Sequence, residues 1–172
     1  KEDFSSDLGR IYNEKRDFKK SIKSHQKSLH NSKKKFGRYH PQTAVDYSNL
    51  LSVYNDLGDY SKVSFYAKKS LEISLKTSGE FSLETAAAYN NYGLSFLYNK
   101  KFKTALDFFH KAVKIQLSKN KNLEMADTHN NISLCYKNLA KIDDSIYHQK
   151  KSIKLTRHFK KGISQNFLFS MN

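Results

Sequence analysis

Three stretches of this chain repeat one phrase. YSNLLSVY begins at Tyr47, YNNYGLSFLY at Tyr89 and HNNISLCY at His129, spaced by 42 and then 40 residues. A fourth copy, FSSDLGRIY, lies upstream, with Gly9 placed 42 residues before Leu51. A period of roughly 40 residues belongs to stacked supersecondary units, none of which can bury its apolar face alone. Such a chain builds its core only between neighbours. Its functional surface is therefore a long face rather than a closed pocket.

The third copy shows the physics of one unit. Tyr89, Tyr92, Gly93 and Phe96 fall at i, i+3, i+4 and i+7, one face of a helix. The run NKK at 99–101 breaks the pattern and reads as a tight turn. Phe102, Ala105, Phe109, Ala112, Val113 and Leu117 then form the core stripe of a second, antiparallel helix. Gly93, Ala105 and Ala112 are small where two helices must approach closely. Four such hairpins are expected at about 3–36, 43–78, 83–119 and 124–160, filling residues 1–161. Residues 162–172 read as a tail or partial capping helix, with Gly162 ending the helix before it and Ile163, Phe167 and Leu168 covering the last hairpin.

This pattern closely resembles the tetratricopeptide repeat, whose signature has an aromatic, a Leu-Gly pair, a Tyr, and spaced Ala and Phe residues. In the third copy Tyr89, Tyr92, Gly93, Phe96, Phe102, Ala105, Phe109 and Ala112 occupy those places. The first copy supplies Leu8, Gly9, Tyr12 and Phe18; the second Tyr47, Leu50, Tyr54 and Gly58; the fourth His129, Ile132, Tyr136 and Ile142. The second copy departs from the signature, with Val63 for the usual Ala and Ala67 for the usual aromatic, two changes that offset each other in volume. The repeat is also longer than the family's standard of about 34 residues. The connectors FGRYHPQTA at 36–44 and GEFSLETA at 79–86 look like those of the kinesin-light-chain branch, and Pro41 suits the first turn of a helix. The resemblance implies an all-α, right-handed superhelical solenoid of four antiparallel hairpins, with the first helix of each lining a concave groove.

Within that framework the first-helix residues not spent on packing form rungs. One is Asp7, Asn49, Asn91 and Asn131; its neighbour is Ser6, Ser48, Asn90 and Asn130. An Asn side chain offers both an acceptor and a donor, so it can pair with both polar groups of a peptide backbone. Members of the resembled family use such a ladder to hold an extended peptide. The same Asn residues can instead bond neighbouring helices, and both readings stand at this level. Further along come Asn55, Leu94, Leu97, Tyr98, Leu134 and Lys137, a groove that turns apolar toward its third and fourth hairpins and offers an anchor site. The clamp by which some family members hold carboxylate tails needs Lys or Arg where Ala87 and Asn91 stand, so that ligand is not expected.

Lys and Arg number 31 against 16 Asp and Glu, a net charge of +15. Lys27, Lys69, Lys111 and Lys151 share one phase on the second helices and would align into a basic ridge. That ridge is either a surface for acidic partners or the ordinary solubilising face of a solenoid. No zinc spacing or aromatic RNA platform accompanies the charge, so nucleic acid is not an expected partner.

Seven histidines form no His-Glu-x-x-His pattern, and Cys135, the single cysteine, reads as a small core hydrophobe in a reducing compartment. No phosphate loop or nucleophile elbow is present. The sequence thus reads as a cytoplasmic, non-catalytic scaffold without metal or cofactor, holding a protein or peptide partner in its groove. The alternatives are a peptide-sensing regulatory domain of a larger receptor and an electrostatic binder of acidic partners. Open solenoid ends add the expectation of self-association.

Overall fold

The computed structural model describes residues 4–119 and 122–169, and all its described elements are α-helices. Eight are found, in four hairpins: α1 (Ser5–Glu14) with α2 (Phe18–Phe36), α3 (Pro41–Leu57) with α4 (Tyr60–Thr77), α5 (Leu83–Tyr98) with α6 (Phe102–Ser118), and α7 (Asn122–Asn138) with α8 (Ile142–Phe169). Each helix packs on its hairpin partner, and each second helix packs on the first helix of the next hairpin. The architecture is a solenoid, with a core running along its length and no single centre.

The turn inside each hairpin is one device used four times. Arg16, Gly58, Lys100 and Ala140 stand at equivalent places, and all adopt a left-handed backbone, with φ of 59°, 74°, 58° and 57°. The next N–H, from Asp17, Asp59, Lys101 and Lys141, donates to the carbonyl of Tyr12, Tyr54, Phe96 and Tyr136 at 2.9, 3.0, 2.9 and 2.9 Å. These six-to-one bonds satisfy carbonyls that would otherwise be orphaned at the helix end. Only the second hairpin uses the residue that tolerates this conformation without a Cβ penalty. Asp17 and Asp59 then cap the following helix, each carboxylate accepting a backbone N–H, from Lys20 and Lys62, at 3.2 Å.

Between hairpins a buried hydroxyl ties the connector down. Thr43 donates to the Gly37 carbonyl at 3.0 Å and Thr85 to the Gly79 carbonyl at 2.7 Å, and both threonines are wholly buried. Gly37 and Gly79 have φ of 88° and 80°, the left-handed region that favours glycine.

In the first three hairpins the core centres on a small–large contact. A Cβ on Gly93 would lie 2.6 Å from the Phe109 ring, and one on Gly9 would overlap the His25 ring. In the second hairpin both members change, with Leu51 in the glycine's place and Ala67 in the ring's, and both are buried in one cluster. Leu51 with Ala67 is thus an offsetting pair, and Val63 is buried in the same cluster. Beside this contact lies an aromatic trio. Tyr66 packs on Tyr47 and Tyr54 with ring centroids 6.0 and 5.4 Å away. Phe108 does the same with Tyr89 and Phe96 at 6.2 and 5.4 Å. His148 does so with His129 and Tyr136 at 5.0 and 5.5 Å.

Two expectations are corrected here. Leu117 does not belong to the core stripe; it is 62% exposed, because the buried stripe through Ala105, Phe109 and Ala112 continues at helical spacing to Gln116, one residue earlier. Gly162 does not end a helix: α8 continues through it to Phe169, since a single glycine costs a helix only about 1 kcal/mol. The covering role expected of Ile163, Phe167 and Leu168 lies outside the described side chains.

Candidate functional site

The rungs of the first helices are brought together across hairpin boundaries, and part of their hydrogen-bonding capacity is spent there. Asn49 Nδ2 donates to Ser6 Oγ at 3.1 Å, and Asn131 Nδ2 donates to Asn90 Oδ1 at 3.2 Å. The two bonds are equivalent, since each runs from one rung back to its neighbour on the preceding hairpin. Asn13 Nδ2 adds a third crossing bond, to Asp56 Oδ2 at 2.7 Å. Between hairpins two and three the pattern is interrupted, because Ser48 turns away to Ser70 Oγ at 2.9 Å. Asn91 there has no hydrogen-bond partner among the described residues, and neither has Asn130. The ladder is thus divided, with Asn49, Asn90 and Asn131 locking adjacent hairpins and Asn91 and Asn130 leaving donor and acceptor open.

The expected anchor residues divide as well. Tyr98 stacks on Tyr60 of the preceding hairpin, centroids 4.7 Å apart, and its hydroxyl is held by the Asn55 side chain. Burial, and then the neighbouring Tyr60, raise its hydroxyl pKa above the usual tyrosine value. Tyr98 and Asn55 therefore join hairpins. Leu94 and Leu97 are half-buried against the cluster of Ala105, Phe109 and Ile132, whereas Leu134 is 40% exposed and Lys137 is exposed. At the other end of this face a notch of about 110 Å³ is lined by Arg10, Asn13, Glu14, His25 and Asn49. Asn13 Oδ1 and His25 Nδ1 are buried in that region without a partner among the described residues. Burial holds the His25 ring below its ordinary pKa, so it is neutral near pH 7.

On the second helices the four ridge lysines differ in setting. Lys27 is exposed, and Lys69 is half-buried and pairs with Glu72 at 3.5 Å. Lys111 lies 5.4 Å from the Tyr89 ring centre and Lys151 lies 4.6 Å from that of Tyr147. Those ring contacts hold the chains along the surface by cation–π attraction.

The histidines of the last hairpin make a contact that single-residue reading misses. His129 Nδ1 and His148 Nδ1 are 2.9 Å apart, a hydrogen bond that requires at least one neutral ring. Burial, helped by His148, Lys151 and His110, pushes His129 down to about 4. His148 is lowered too, by burial first and then by His110 and Lys151. The signal was in the register: the two positions correspond to the ring pairs Tyr47–Tyr66 and Tyr89–Phe108. Cys135 is fully buried and its thiol is pushed up to about 12, which makes it unreactive in the folded state. Among the described residues no group of three or more His, Cys, Asp or Glu is placed to hold a metal. No described helix is long and apolar enough to cross a membrane.

The tetratricopeptide-repeat family model matches residues 4–76. No curated protein matches the sequence. Solved structures match across nearly the whole chain at low identity. BtubC (BKLC) from P. vanneervenii aligns with a TM-score of 0.80 and 18% identity, over 91% of this chain and 63% of its own. RapI in its apo form gives 0.81 and 18%, over 92% and 56%. TPR-like repeats of a kinesin light chain candidate from Podosopora anserina give 0.76 and 12%, over 90% and 74%. At these identities the likeness is one of fold, and the chain spans about 63% of the first of them and 56% of the second.

Proposed function

We propose that this chain, a tetratricopeptide-repeat solenoid akin in fold to kinesin-light-chain-like repeats, is a non-catalytic cytoplasmic scaffold that holds an extended segment of a protein partner along its first helices. The observation that carries the reading is Asn91. It lies mid-face, half-buried, at the one hairpin boundary where no rung-to-rung bond forms. An amide so placed can accept from a peptide N–H and donate to a peptide carbonyl, which fixes backbone position without reading side chains. Asn130, Leu134 and Lys137 extend the surface on the fourth hairpin and add one apolar contact and one charge. The locked residues Asn49, Asn90 and Asn131 keep the spacing of the hairpins, so a bound chain meets a preorganised surface.

The test is affinity capture of partners from the native cell with the parent chain and with Asn91→Ala, followed by peptide mapping and titration of the mapped segment. A hydrogen-bonding role predicts weakening of about fivefold to fiftyfold for Asn91→Ala. Lys69→Ala and Lys111→Ala should leave affinity unchanged. If instead Asn91→Ala binds like the parent while the lysine changes and moderate salt abolish binding, the outer lysines are the site.

A further inference from the structure

A second binding surface lies away from the first-helix face, where α6, α7 and α8 meet. A groove of about 850 Å³ is floored by Val113 and Leu117 of α6, Met125 of α7 and Ile153 of α8. Leu117 and Ile153 are 62% and 43% exposed, so the floor is open to solvent rather than sealed. Its wall on α8 carries Lys150, Lys151, Lys154 and Arg157. Lys150, Lys154 and Arg157 follow at i, i+4 and i+7, a single stripe over about two helical turns, or roughly 10 Å. No carboxylate stands among the described residues that line the groove, and none of the four cations forms an ion pair with a described residue. Three lysines on earlier helices, Lys20, Lys62 and Lys69, are each matched by an acid three residues away.

We propose that this groove docks an acidic amphipathic helix of a partner protein, its apolar face on the Val113–Leu117–Ile153 floor and its carboxylates on the α8 stripe. Charge complementarity selects the occupant: an apolar floor beside four unmatched cations fits a surface that alternates aliphatic and acidic at helical spacing. A groove between helices suits an inserted side-chain ridge better than a flat bilayer surface.

The probe is a fluorescein-labelled synthetic helix of roughly 15 residues with leucine on one face and glutamate on the other, titrated by anisotropy. Leu117→Glu and Lys154→Glu change exposed side chains, and circular dichroism will show both variants as helical as the parent. Each should weaken binding by about tenfold or more. Lys27→Glu, on the distant α2, should leave it unchanged. The proposal is overturned if Leu117→Glu and Lys154→Glu bind like the parent or if Lys27→Glu weakens binding as much as they do. It is overturned equally if a shuffled peptide of the same composition binds as tightly, or if phosphatidylserine vesicles bind the parent chain and displace the helix from it.

Discussion

Hairpins three and four are built to one plan and filled with different chemistry. Hairpin three packs Tyr89, Phe96 and Phe108 together, with Phe109 pressed on Gly93. Hairpin four puts His129, Tyr136 and His148 in the same trio, Ser133 in the glycine's place and Gln149, which is exposed, in place of the buried ring. Ser133 is buried and bonds backbone and side chain of Ser145 at 3.0 and 3.1 Å. At these equivalent positions one hairpin relies on area removed from water and the other on directed polar contacts. The first mechanism is indifferent to pH, and the second depends on it.

The sharpest way to break the comparison is truncation at the equivalent pair. Phe109 is fully buried, so Phe109→Ala should cost about 3–5 kcal/mol in a urea melt. Gln149→Ala should stay within about 0.5 kcal/mol; a loss similar to that of Phe109→Ala would show that hairpin four has a buried ring site after all. Next in size is the small-residue position. Gly93→Ala forces a methyl into the Phe109 ring and should cost about 1–3 kcal/mol, whereas Ser133→Ala loses only hydrogen bonds, about 1 kcal/mol.

Acid sharpens the contrast further. In the unfolded chain a histidine titrates near 6.5, while in the fold His129 is held near 4 and His148 is also lowered. The unfolded state therefore takes up protons first. The contribution is intact above about pH 6.5 and is lost as pH falls toward about 4, by roughly 1–2 kcal/mol, the ideal value being reduced because His148 stays partly wet. Copying hairpin three with His129→Tyr and His148→Phe should flatten that slope. Melts of parent and double variant at about pH 7.5 and about pH 5 decide it, and equal losses would remove the pair from the account. The smallest effect concerns the left-handed turn. Ala140 pays a Cβ penalty that Gly58 avoids, so Ala140→Gly should be stabilising by up to about 1 kcal/mol, and Gly58→Ala destabilising by a similar amount.

Much of this is visible in the residues alone, because a period fixes what stands opposite what. Gly93 against Phe109 and the core stripe through Ala105 and Ala112 follow from helical phase. Leu117 escapes that logic: the buried stripe through Ala105, Phe109 and Ala112 passes to the polar Gln116, and the apolar residue beside it is left in solvent. The rungs escape it differently. Phase places Asn49, Asn91 and Asn131 alike, yet whether an amide bonds the preceding hairpin or stays open depends on its neighbour: Ser6 accepts from Asn49, whereas the equivalent Ser48 is engaged with Ser70 and leaves Asn91 open. His129 reads as one packed ring; its partner arrives from another helix, and only the register shared with Tyr89 and Phe108 would have revealed it.

The threonine grip on the connector makes the molecule divisible. Gly37 and Gly79 are separated by one period, share a backbone conformation, and each presents its carbonyl to a threonine six residues on. Excising residues 38–79 would splice Gly37 to Glu80 and hand its carbonyl to Thr85 in place of Thr43. The shortened chain keeps the connector it already possesses, with α2 meeting α5 at the place where it once met α3, though without the buried Ser28–Asp46 bond, since Ala88 stands at the aspartate's place. Length in this protein is counted in whole hairpins, and the splice points are written into its backbone.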